Sequence, residues 1–298
     1  MQGLTMEKQI KKVLIITNFN IYDKAQAALR VAEKFAELGC EVCTVIYNKD
    51  KIFRLHSRTR FTFLPVEEAY DAVDAVIVLG GDGAILESAR RSAPHDTPVM
   101  GLNLGRLGYM AELEIGEIDE LSRLTKGEYT LETRSMLNIE LVNAQGEVRK
   151  NEYALNDAVL SNGSISRVVD IELYESGSHI ASYRSDGMIV STPTGSTAYS
   201  LSAGGAIVDP RLECLCVTPI CPHSLYARPM IFPDSANLEI KNVCQREKTL
   251  FLTVDGRVNY ELFYGEVVRI TRSPLKTSFI RLKDGSFYER LRQKMNDK

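Results

Sequence analysis

One carboxylate, Asp82, stands among three glycines in Gly80-Gly81-Asp82-Gly83, directly after an apolar run and before a helical stretch. Glycines let a chain turn sharply and bring N–H groups close to a ligand, and a helix N-terminus is a ready anion site. An acid repels phosphate, so Asp82 suits proton transfer or the ribose side of a nucleotide; a ligand-free tight turn accounts for the same four residues equally well. A second concentration lies in residues 185–210, SDGMIVSTPTGSTAYSLSAGGAIVDP. Ser191, Thr192, Thr194, Ser196, Thr197, Ser200 and Ser202 put seven hydroxyls within twelve residues. Hydroxyls and turn amides bind sugar and phosphate oxygens. Caps and turns explain one or two of them, and the remaining density favours a ligand site.

Other familiar chemistries fail on spacing. After Gly81 and Gly83 the third glycine of a dinucleotide fingerprint would fall on Leu86, and no Gly-Lys pair exists for a phosphate loop. Neither H-E-x-x-H nor G-x-S-x-G occurs, and the four histidines are scattered, so no metal site is expected. Cys40 and Cys43 form a lone C-x-x-C without a second pair, which makes them ordinary helix-end and strand residues. His223 and Arg228, between Pro222 and Pro229, read as a structural brace.

The elements that must position these residues change character along the chain. Residues 13–17 (VLIIT), 41–47, 73–79 and 99–102 read as Val/Ile-rich strands. Between them, 25–38 and 84–91 carry helical spacing, with Gly39 as a stop. That alternation implies a parallel sheet with helical crossovers. After a short helix at 118–124 come alternating segments broken by turn residues, at 136–142, 168–174, 179–184, 238–240, 250–254 and 267–271. These imply a β-rich second domain. Residues 49–60, with Lys51, Arg54, Arg58 and Arg60, read as a solvated basic loop. The 298 residues suit two domains, and 44% hydrophobic with 25% charged residues is ordinary for a globular chain. A net charge of −3 removes the bulk attraction of a nucleic-acid or membrane binder. A polar start without a secretory signal and six cysteines read as reduced thiols point to the cytoplasm.

Taken in order, several motifs resemble those of bacterial NAD kinases. They are Gly80-Gly81-Asp82-Gly83, the segment from Gly101 to Tyr109, Asn156-Asp157, Asp186-Gly187, Thr192-Pro193-Thr194-Gly195-Ser196-Thr197-Ala198-Tyr199, Ser202-Ala203-Gly204-Gly205 and the segment from Pro222 to Pro229. A lipid kinase with the same Gly-Gly-Asp turn would leave the Thr-Pro-Thr-Gly-Ser-Thr-Ala-Tyr block unexplained. The resemblance implies phosphoryl transfer from ATP to the 2′-hydroxyl of the adenosine ribose of NAD, giving NADP. It also implies an α/β N-terminal domain and a β-rich, sandwich-like C-terminal domain. The corresponding boundaries are 1–125, 126–272 and a 273–298 segment packing back on the first domain. By the same resemblance Asp82 is the catalytic acid. Gly80, Gly81 and Gly83 would face the ATP phosphates, with Mg²⁺ carried by ATP. NAD would meet Asp82, Gly83, Tyr109, Asn156, Asp157, Arg167, Arg184, Asp186, Thr197, Ala198, Tyr199, Ser200, Leu201, Ser202 and Arg257. Asp157 stands where the family usually has Glu, Tyr109 where Phe is common, and Arg257 where Gln is usual. Relatives imply a homodimer or homotetramer.

Overall fold

The computed structural model describes residues 7–105, 108–163, 168–244, 250–283, 285 and 287–296. Two compact units emerge, Met1–Thr133 with Thr277–Lys298, and Arg134–Lys276.

In the first unit, strands Lys12–Ile16, Glu41–Val45, Phe61–Leu64, Ala75–Leu79 and Val99–Asn103 pair in parallel. Ala75–Leu79 lies between Lys12–Ile16 and Val99–Asn103 and is buried throughout, as its unbroken AVIVL run requires of a strand covered on both faces. The chain moves outward from Lys12–Ile16 to the second and third strands, then returns to its other side with Ala75–Leu79. The carboxyl ends of these two strands therefore form a topological switch point, where α/β sheets bind ligands. Helix Tyr22–Glu37 buries Ala25, Ala28, Val31, Ala32 and Phe35 on one face, and Gly39 ends it at φ +78°. Phe279 joins the sheet beside Val99, and Ile280 and Leu282 enter the same core.

The second unit is antiparallel. One sheet runs in the order Met230–Pro233, Cys214–Ile220, Gly187–Ser191, Asp157–Asn162, Leu250–Val254 and Val258–Leu262. The other contains Ser178–Ser185, Val169–Glu175, Leu238–Asn242 and the first residues of Val267–Arg281, with Thr130–Val142 and Val148–Ala154. Leu137, Ile171, Leu173, Ile240 and Ile270 from this sheet share one core with Leu160, Met188, Val190 and Leu252 from the other, which makes the unit a sandwich.

Three local readings change. Phe61–Leu64 is a strand, too short between Arg60 and Pro65 to show periodicity, and it exists by pairing with Val42–Val45. The expected basic loop contains a short helix, Lys49–Arg54. The strand beginning at Val267 continues to Arg281 through Pro274, a residue that normally argues against a strand. Among the described residues no helix is long and apolar enough to cross a membrane.

Candidate functional site

In the first unit, strand Ala75–Leu79 delivers the chain to Gly80 and Gly81, and Asp82 opens helix Asp82–Ser92. The Asp82 carboxylate is held from a distant segment. Oδ2 accepts the Tyr109 N–H at 3.0 Å and Oδ1 the Met110 N–H at 3.2 Å. Two amides fix its orientation. Such an approach is possible only past Gly108, where a Cβ would lie 2.0 Å from Asp82 Oδ1. Burial, with the Asp82 charge second, raises the half-buried Tyr109 phenol above its usual range, so it stays a neutral hydroxyl.

The three loop glycines are not equivalent. Gly80 N–H is spent on the Leu102 carbonyl at 3.0 Å, which removes it from the expected phosphate donors. Gly81 and Gly83, at the helix N-terminus, have no acceptor for their amides among the described residues, as the first turn of a helix dictates.

In the second unit, Asn156 and Asp157 turn the chain from Val148–Ala154 into Asp157–Asn162. The fold clamps this turn on two sides. Asp255, from the connection between Leu250–Val254 and Val258–Leu262, accepts the N–H groups of Leu155 (2.9 Å), Asn156 (2.8 Å) and Asp157 (3.0 Å). Opposite, Thr192 N–H reaches the Asn156 carbonyl at 2.9 Å, and Thr192 Oγ1 the Leu155 carbonyl at 2.5 Å. A Cβ on Gly195 would stand 2.1 Å from the Asn156 oxygen, so this block's glycine permits close approach of two backbones.

Beside the turn opens a cavity of about 420 Å³, within the range of small-molecule sites. Asn156, Asp157, Ala198, Tyr199, Thr253 and Asp255 are among its walls. Asp157 is 5% exposed, and its carboxyl is pushed up to about 7, by burial first and by the Asp255 charge second. Tyr199, 48% exposed, offers an aromatic face.

The hydroxyl-rich block divides accordingly. Ser200 is buried with its hydroxyl on Thr218 Oγ1 at 3.0 Å. Ser196 bonds the Pro193 carbonyl and receives Val208 N–H, and Thr197 Oγ1 bonds the Thr194 carbonyl. These hydroxyls brace the turn, and Ser191 and Thr192 are buried with them. The structure brings Ala198 and Tyr199 to the cavity wall, while Ser200 points inward, Leu201 is half-buried and Ser202 exposed outside it. Arg184 and Asp186 are exposed and flank the buried Ser185, and Arg257 is exposed on the turn after Asp255. None of the three borders this cavity. Arg167 lies outside the described residues. Thr253, Gly256 and Asp255 also line the cavity, and the Asp-Gly pair at 255–256 is the sequence signal that marks them.

Elsewhere, Cys40 and Cys43 are buried, and burial pushes the Cys43 thiol up to about 12, which suits packing better than ligation. Among the described residues no group of three His, Cys, Asp or Glu side chains could hold a metal ion. The Arg228 guanidinium bonds the Leu225 and Ala227 carbonyls of its own loop at 2.8 Å each, and the His223 backbone bonds Arg184.

The ATP-NAD kinase N-terminal domain matches residues 5–129 and the ATP-NAD kinase C-terminal domain residues 155–282. An NAD kinase of Carboxydothermus hydrogenoformans is 43% identical over 78% of this chain and 82% of its own length. That of Citrifermentans bemidjiense is 37% identical over 90% and 93%. The fold is similar to that of yeast NADH kinase complexed with NADH, with a TM-score of 0.88 at 23% identity over 98% of this chain and 89% of that one. It is also similar to an NAD kinase from Archaeoglobus fulgidus in complex with ATP, with a TM-score of 0.71 at 24% identity over 95% and 97%. Two domain matches that take in both the Asp82 loop and the Asn156–Asp157 turn, with relatives this similar across most of their length, mean that the chain belongs to the NAD kinase family.

Proposed function

We propose that this protein transfers the γ-phosphoryl group of ATP to the 2′-hydroxyl of the adenosine ribose of NAD, giving NADP and ADP, with Asp82 as the base. The carrying observation is the Asp82 carboxylate, oriented by the Tyr109 and Met110 amides beside the unspent amides of Gly81 and Gly83. Phosphoryl transfer depends on positioning and charge stabilisation. Asp82 takes the hydroxyl proton as the ribose oxygen attacks the γ-phosphorus and the bond to ADP breaks. Gly81 and Gly83 present amides to the donor phosphates, and the helix N-terminus adds its partial positive charge.

The cavity beside Asp157 supports a site for the adenosine of NAD. Asp157 accepts from hydroxyls, Asn156 reads polar edges and Tyr199 stacks. Thr197, Leu201, Ser202, Arg184, Asp186 and Arg257 are proposed to meet the rest of the dinucleotide. With no three-ligand protein cage among the described residues, Mg²⁺ fits as an ion held by the ATP phosphates, where it supplies charge neutralisation. We place this synthesis in the cytoplasm and the chain in a homodimer or homotetramer.

The test incubates purified protein with NAD, ATP and Mg²⁺ and reads NADP with an NADP-specific dehydrogenase. NADP formation that needs both ATP and metal is expected. NAD binding without any NADP, with ATP or with polyphosphate as donor, would overturn the reading in favour of a nucleotide sensor.

A further inference from the structure

We propose that Asp255 is a positioning residue for the adenosine side of NAD: its carboxylate shapes the Leu155–Asp157 backbone into the ligand-facing turn, and its charge adds to the burial of Asp157 in making occupancy of that site depend on pH. The inference rests on NAD binding in the cavity beside Asp157.

Three consecutive amides, from Leu155, Asn156 and Asp157, converge on one carboxylate, which is 8% exposed. The contact is reciprocal, since Asp255 N–H donates to the Asp157 carbonyl at 3.0 Å. Asp255 also sits at φ +47°, a conformation uncommon for a residue with a side chain. A hairpin connection explains an Asp or Asn there, followed by Gly256 at φ +69°. It does not explain why both oxygens are spent on a segment about a hundred residues earlier in the chain. Asn would serve the hairpin as well; the triple acceptance needs two acceptor oxygens and is strengthened by charge.

The same charge faces Asp157. The strand Leu250–Val254 contributes Thr253 to the cavity, the strand Asp157–Asn162 contributes Val159 and Ser161, and the 198–199 segment contributes Ala198 and Tyr199. Arg257 is exposed on the turn, and Arg134 donates to Thr194 Oγ1 at 3.2 Å. Among the described residues lining the cavity, Asp157 and Asp255 are therefore the two that carry formal charge. Burial and this neighbour hold the Asp157 carboxyl at about 7. A carboxylate accepting from two ribose hydroxyls has to be ionised, so affinity rises as pH passes through that value. If only the ionised form binds, the gain between pH 6 and pH 8 is about tenfold.

The experiment measures NAD binding calorimetrically, without ATP, at pH 6, 7 and 8, on the full chain and on Asp255→Asn and Asp157→Asn. The wild type is expected to bind about tenfold tighter at pH 8 than at pH 6. Asp157→Asn is expected to bind more weakly and without pH dependence. Asp255→Asn, with the hairpin geometry kept and the charge gone, should move the midpoint of the NAD-binding profile to lower pH, since burial of Asp157 remains, and bind more weakly at pH 8. A flat wild-type profile overturns the proposal, and so does an Asp255→Asn profile with the same midpoint as the wild type. Should Asp255→Asn fail to fold, the wild-type slope decides together with the Asp255→Glu variant, which keeps the charge and should keep the midpoint; a midpoint moved to lower pH there overturns the proposal. NADP formation, assayed in parallel, separates this inference from the assigned reaction. Turnover with a pH-independent NAD affinity sinks the inference alone, and a sloped affinity without turnover sinks the reaction alone.

Discussion

Asp82 and Asp157 are both aspartates at turns, and the fold holds them in different ways. Asp82 opens a helix, where the dipole favours negative charge, and two amides hold its oxygens. Replacing it with Asn keeps the size and removes the proposed base. We expect Asp82→Asn to lower turnover at least about a hundredfold while NAD affinity stays within about threefold; steady-state rates beside calorimetry check the split, and equal losses in both would contradict the role as base. Asp157 is buried beside a second carboxylate and pushed up to about 7. Between the ordinary carboxylate value and about 7, the folded chain holds a proton there that the unfolded chain has released, so this group's contribution to stability falls as pH rises through that window. Asp157→Asn should therefore stabilise the apo protein, on the order of 1–3 kcal/mol at pH 8 and less at pH 5. Thermal unfolding at the two pH values is the measurement. A variant more stable and poorer in binding would show a functional group kept at a cost to the fold.

At the scale of elements, the motifs work through close backbone approach. Gly108 lets the 108–110 segment reach Asp82, and Gly195 lets the Thr194–Thr197 turn lie against Asn156. A methyl at Gly108 meets the carboxylate itself. Gly108→Ala should turn Asp82 out of line and lower kcat more than it raises KM for NAD, which steady-state kinetics would resolve. A methyl at Gly195 meets a backbone carbonyl that Thr192 N–H already holds. Gly195→Ala should destabilise by about 1–3 kcal/mol and weaken NAD binding, read by urea unfolding and calorimetry. The hydroxyl density of this block reads as a ligand site, whereas the structure spends the Thr192, Ser196, Thr197 and Ser200 hydroxyls on holding the turn itself. Ser196 and Ser200 point inward to Val208 and Thr218, partners beyond residues 191–202 that spacing within them cannot reveal.

On the scale of the whole chain, the first unit is built from both ends of the sequence. Arg281 ties the late segment into it. Its guanidinium bonds Glu132 at 2.5 Å and Glu112 at 3.1 Å, and Glu112 also accepts the Leu282 and Lys283 N–H groups at 2.8 and 2.7 Å. All three charges lie at or near the core, with Arg281 and Glu112 each 6% exposed. Removing one partner leaves a buried charge short of its compensation. Glu112→Ala should cost about 3 kcal/mol of stability, measured by denaturant unfolding, whereas Lys283→Ala, at an exposed ion pair with Glu117, should cost under about 1 kcal/mol.

By itself the sequence determined the α/β alternation of the first unit, the β-rich character of the second, and the Gly80–Gly83 turn between a strand and a helix. These rest on local periodicity and on short motifs, in which the physical cause and the residues that report it are neighbours. Tertiary structure decided what neighbours cannot encode. It spends Gly80 N–H on Leu102 and leaves Gly81 and Gly83, and it carries a strand through Pro274. It sets Asp255 against the Leu155–Asp157 turn. Each of these joins groups far apart in the chain, and burial and hydrogen bonding choose such partners only once the sheets have formed.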